Sequence, residues 1–90
     1  MIVEKSFIDA ITYAQKHNIM IRPEYWSSWM KYVKDKSGFC WCTKDGTVLL
    51  DHGLDKYVLL TDKILAITKW EFMCDELIEG EVPDKTEDKE

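Results

Sequence analysis

Phe7, Ala10, Ile11 and Ala14 recur at helical spacing near the start of the chain. That period predicts an amphipathic helix with one buried face. Asp9, Thr12, Gln15 and Lys16 fall outside the stripe. Ser6, with Asp9 three residues on, is a short capping-box signal. His17-Asn18 supplies a stop, because Asn suits a left-handed cap. Beyond it the pattern shortens. Ile19-Met20-Ile21-Arg22 reads as a strand ended by Pro23. Met30-Lys31-Tyr32-Val33-Lys34 reads as another, followed by a turn at Asp35-Lys36-Ser37-Gly38. Residues 39–43 form the next strand. Lys44-Asp45-Gly46 is a hairpin signal, since Asp-Gly suits the left-handed positions of tight turns. Residues 47–50 return, Asp51-His52-Gly53 turns again, and residues 56–60 form a further apolar run.

These runs do not alternate cleanly. Phe39-Cys40-Trp41-Cys42 and Tyr57-Val58-Leu59-Leu60 are apolar on both faces. Strands of that kind are usually covered on both sides. One helix covers one face, and a partner subunit is the simplest cover for the other. Residues 61–78 admit two readings. Ala66, Trp70, Met73 and Leu77 fit one helical stripe with Thr61 as its cap. Alternatively, residues 62–66 form one short helical turn and residues 68–74 a strand with Trp70, Phe72 and Cys74 on one face. Periodicity alone leans to the long helix.

Composition narrows the function. Ninety residues hold one small domain, with four Trp, four Tyr and three Phe. That is more large apolar surface than so short a chain easily hides, which points to self-association. Residues 79–90 carry six acids and two lysines, with Gly80 and Pro83, and read as a disordered acidic tail. The total charge is −5, and the tail holds −4 of it, leaving residues 1–78 near neutral at −1. Such a domain has no basic field for long nucleic acid. No apolar run is long enough to span a membrane, and no secretory leader is recognisable, so a soluble cytoplasmic protein is expected. An odd count of three cysteines, Cys40, Cys42 and Cys74, argues for buried free thiols rather than a disulfide framework. His17 and His52 lack zinc-type spacing to them.

The chemistry concentrates in Arg22-Pro23-Glu24-Tyr25-Trp26-Ser27-Ser28-Trp29. Arg22 is the chain's only arginine. An Arg fork binds phosphate, and it also stacks on rings. Aromatic faces stack on nucleobases. The same segment reads equally well as an apolar seam, with the Arg22 stem packed on Trp26 or Tyr25. Lys16 sits where a solvated cation meets helix C-terminal carbonyls. No Gly-x-Ser-x-Gly elbow, phosphate-cradling Gly loop or activated Cys is recognisable, so a non-enzymatic protein is expected.

Several motifs occur in a telling order. Phe7-Ile8-Asp9-Ala10 opens the helix, and Ile19-Met20-Ile21-Arg22 ends the next strand in Arg. Tyr25 follows, with Trp26 beside it, and Met30 begins a strand. Asp45-Gly46 marks a turn after the central strand. Lys63-Ile64-Leu65-Ala66 and Lys69-Trp70-Glu71 close the series. In this order, over residues 6 to 74, the chain resembles the second type of Thoeris anti-defence protein of phages. Tyr25 stands at a usual Trp position, Lys63 and Lys69 replace usual acids, and residues 51–60 have no clear counterpart.

The resemblance implies an α+β fold. One N-terminal helix would pack on a small antiparallel sheet, with a short second helix near residues 62–66 and a strand over residues 68–74. It also implies a homo-oligomer, expected as a tetramer, with pockets between subunits. The ligand would be a cyclic ADP-ribose isomer, sequestered without cleavage and with no cofactor. The ligand-binding residues expected on this reading are Arg22, Tyr25, Trp26, Lys16, Thr61 and Asp62. Arg22→Ala is expected to abolish capture and leave the oligomer intact.

Overall fold

A computed structural model of the protein describes residues 1–77. The acidic segment 79–90, and residue 78 at the expected domain boundary, lie outside the described residues. In chain order the elements are β1 (Ile2–Glu4), α1 (Phe7–His17), β2 (Ile21–Pro23), β3 (Trp29–Val33), β4 (Gly38–Cys42), β5 (Leu50–Asp51), β6 (Leu54–Asp55), α2 (Asp62–Leu65) and β7 (Lys69–Phe72). The main sheet has the order β1-β7-β2-β3-β4, with β5 and β6 paired separately. Every neighbouring pair in it is antiparallel. The architecture is α+β.

Helix α1 forms where its local signals place it. Ser6 Oγ accepts the Asp9 N–H at 3.2 Å, satisfying one orphan donor of the first turn. Asn18 ends the helix at φ 53, and its N–H donates to the Ala14 carbonyl. Ala10 and Ala14 are fully buried, so the helix backbone approaches the sheet closely. Phe7 reaches the Trp70 ring at 5.9 Å between centroids.

Cross-strand partners share a sheet face. Ile21 pairs with both Met30 and Phe72, Pro23 with Trp70, and Met30 with Trp41. These side chains form the face beneath α1 and, with Ile64, the buried core. Truncating a ring such as Phe72 to Ala costs about 3–5 kcal/mol at a site of this kind. The Trp70 indole N–H has no hydrogen-bond partner among the described residues. The opposite face carries Ile2, Glu71, Arg22, Trp29, Lys31, Cys40 and Cys42.

The two readings of residues 61–78 resolve to the shorter helix. Thr61 Oγ1 accepts the Ile64 N–H at 3.2 Å and caps α2, which ends after one turn. The long helix suggested by Ala66, Trp70, Met73 and Leu77 is not formed. Instead β7 enters the sheet between β1 and β2, gaining pairings on both edges. Strand β1 was not visible in the sequence pattern.

The expected return over residues 47–50 is realised as a short segment in which Val48 bridges Cys42, before Leu50 enters β5. The edge of β4 is closed by two separate segments. Leu49 N–H donates to the Trp41 carbonyl at 2.8 Å, and Trp41 N–H donates to the Lys56 carbonyl at 2.8 Å. Between them the chain leaves the sheet as the β5–β6 hairpin. Its tip has His52 at φ 56 and Gly53 at φ 82, the two left-handed positions of a type I′ turn. In the Asp45-Gly46 turn only Gly46 is left-handed, at φ 93.

Candidate ligand groove

After β2 the chain reverses through a tight turn in which the Trp26 N–H donates to the Pro23 carbonyl at 3.1 Å. This turn lays the Trp26 ring on Trp41 of β4, with centroids 5.7 Å apart and planes 25° from parallel. The stacked pair borders two cavities. One cavity, about 490 Å³, is lined by Tyr25, Trp26, Ser27, Ser28, Trp41 and Lys56. The other, about 570 Å³, shares Trp26, Trp41 and Lys56 and continues past Leu54, Tyr57, Leu59 and Thr61 to Ile64. Asp51, His52 and Asp55 of the β5–β6 hairpin also border it.

Lys56 is therefore the cation common to both cavities. Its backbone is fixed twice: the carbonyl accepts from Trp41, and the N–H donates to the Leu49 carbonyl at 2.9 Å. At the hairpin base, Lys36 Nζ reaches Asp55 Oδ2 at 2.7 Å, and this bond raises the Lys36 pKa. Aromatic walls, serine hydroxyls and a lysine together suit a planar heterocycle bearing an anionic group.

The six expected ligand residues do not converge within one chain. Trp26 and Tyr25 line the first cavity, and Trp26 and Thr61 the second. Asp62 is exposed in the first turn of α2 and lines neither cavity. Lys16 is exposed in the last turn of α1, also outside both. Arg22 projects from the opposite sheet face. Its Nε and Nη2 donate to the same Glu71 oxygen, at 3.0 and 2.7 Å. Its guanidinium carbon lies 4.5 Å from the Trp29 ring centroid. The expected packing of the Arg22 stem on Trp26 or Tyr25 is replaced by its guanidinium lying over Trp29. Successive strand residues point to opposite faces, and Arg22 shares its face with Trp29, next to Met30.

The sequence reading missed Lys56 and Trp41 as groove residues. A lysine opening an apolar run was the available signal for Lys56. Its partner, the bond to Trp41, is long-range and left no trace in local pattern.

The cysteines are free. Cys40 and Cys42 are buried, Cys74 is half-buried, and burial raises the Cys40 and Cys42 pKa values. Neutral buried thiols are poor nucleophiles. Among the described residues no group of three His, Cys, Asp or Glu side chains converges as a metal site. Among them, too, no helix is long and apolar enough to cross a membrane.

No family model, curated protein or solved structure matches this chain. The groove must therefore be read from its own chemistry.

Proposed function

We propose that the protein is a nucleotide-binding sponge. It sequesters a small messenger of the cyclic ADP-ribose type in a host bacterial cytoplasm without cleaving it. The observation that carries this reading is the stacked Trp26–Trp41 pair, which with Lys56 lines both cavities. The rings offer stacking surface for a base, worth about 1–3 kcal/mol per base. Lys56 offers a point charge to a phosphate. The near-neutral balance of residues 1–78 suits a small anion better than a polyanion. The ordered motifs over residues 6 to 74 support the same reading.

The groove is open along its leucine side. Leu54 is 72% and Leu59 71% exposed, and Leu60, next to Leu59 in the chain, is 67% exposed. Apolar side chains so exposed beside a cavity mark an interface. A second copy of the chain covering them would close the groove and exclude water from the ligand. The working form is accordingly a homo-oligomer, with a tetramer expected.

The test is a capture-and-release assay. The protein is incubated with a cyclic ADP-ribose isomer, separated by filtration and denatured by heat. Intact nucleotide in the supernatant is the expected result. Absence of capture, or recovery of hydrolysed product alone, would overturn the proposal. The exposed leucines also suit an inhibitor that binds a host protein. A stoichiometric protein partner in a pull-down, with no nucleotide absorbance, would favour that second reading.

A further inference from the structure

Tyr25 departs from local rules twice. It occupies the third position of the Pro23–Trp26 turn at φ 74. Glu24, before it, is not left-handed, so this is the type II geometry that takes Gly at that position. A side chain with a Cβ is strained there, and a bulky ring more so. Nor does the ring repay the strain by packing, since Tyr25 is 92% exposed. The turn itself cannot relax easily. Pro23 is buried, and the Glu24 N–H donates to the Lys69 carbonyl at 3.1 Å. A strained residue that contributes nothing to the core suggests a role outside folding. That same ring lines the polar cavity beside Trp26, Ser27, Ser28 and Lys56.

We propose that Tyr25 is an aromatic cap, held in the open by its strained turn, that closes on the planar base of a nucleotide seated beside Trp26. The Ser27 and Ser28 hydroxyls meet the polar edge of the ligand, and Lys56 meets its phosphate. This rests on the nucleotide-binding reading and adds a selectivity to it. The cap recognises a flat ring and contributes nothing to a sugar phosphate that lacks one.

Tyr25→Gly and Tyr25→Phe separate strain from stacking. Gly accepts the left-handed backbone but loses the ring, whereas Phe keeps both ring and strain. Melting is measured without nucleotide, capture with cyclic ADP-ribose and with ribose 5-phosphate, and mass by light scattering. Tyr25→Gly is expected to raise Tm by about 2–5 °C. It is expected to weaken cyclic ADP-ribose capture about 10-fold or more, and to leave any weak ribose 5-phosphate binding unchanged. Tyr25→Phe is expected to match the parent protein in melting and capture. Unchanged capture by Tyr25→Gly, a lowered Tm, or a change in oligomer mass alone would overturn the cap. A parent protein that captures no cyclic ADP-ribose defeats the nucleotide reading itself, and that outcome is visible before any variant is compared.

Discussion

Two residues four positions apart, Arg22 and Trp26, end up serving opposite sides of the sheet. Trp26 stacks on Trp41 over the helix-covered face, and Arg22 bridges Glu71 and Trp29 on the other. Their substitutions should therefore separate. Trp26→Ala is expected to weaken nucleotide capture about 10-fold or more, measured by equilibrium filtration. Arg22→Ala is expected to leave capture in place and to destabilise the fold by about 1–2 kcal/mol, from one partly exposed ion pair and one cation–π contact. Thermal melting reads this as a fall of roughly 4–16 °C for a domain this small. Loss of capture in Arg22→Ala at unchanged Tm would restore Arg22 to the ligand. The cysteines give a second residue-level check. Iodoacetamide at neutral pH should modify Cys74 first and reach Cys40 and Cys42 only after denaturant, since those two are buried with raised pKa values. Mass spectrometry of timed samples would show the order.

Elements differed in how far local pattern revealed them. Helix α1 was legible end to end, because Ser6, the Phe7–Ala14 stripe and Asn18 are all local signals. Strand β7 was not. Its Trp70 and Met73 sit at a spacing that suits a helix equally well, and the choice was made by β1 and β2, far away in sequence. Strand β1 exists only through that same pairing, so its three residues carried no pattern of their own. The Thr43–Thr47 turn illustrates a purely local element with a titratable lock. The Asp45 carboxylate accepts from the Thr43 hydroxyl and from the Thr47 N–H, and these bonds hold its pKa below the ordinary 3.8. Because the folded pKa is the lower one, the contribution is fully present above about pH 3.8 and is lost as pH falls through the folded value. An NMR titration should place the Asp45 midpoint below 3.8, and Thr43→Val should move it back up. A midpoint unmoved by that substitution would remove the hydroxyl as the cause.

At the scale of the whole molecule, the core was foreseeable and the groove was not. Phe7, Ala10 and Ala14 announce the helix side of the core. The groove needs Lys56, brought to Trp41 by a backbone bond that no sequence pattern encodes. The excess of aromatic and aliphatic surface pointed to association. The structure locates part of that surface at Leu54, Leu59 and Leu60. If a second copy covers these side chains, Leu59→Lys combined with Leu60→Lys should convert the oligomer to a folded monomer. Sedimentation and far-UV circular dichroism would report mass and fold separately. An oligomer unchanged by both lysines would place the interface elsewhere.

The β5–β6 hairpin leaves the edge of the sheet after Leu49 and returns at Lys56, and those two residues are themselves joined by a hydrogen bond of 2.9 Å. Exit and entry thus share one doorway. A segment with adjacent ends can be shortened, lengthened or opened without forcing the rest of the chain to move. Residues 50–55 are consequently the natural port for engineering. A short Asn-Gly link in their place should leave a cooperatively folding protein, and a reporter domain spliced there should fold independently of its host. Since the hairpin tip also borders the groove, a reporter spliced there should, if the groove holds a ligand, change its signal on binding.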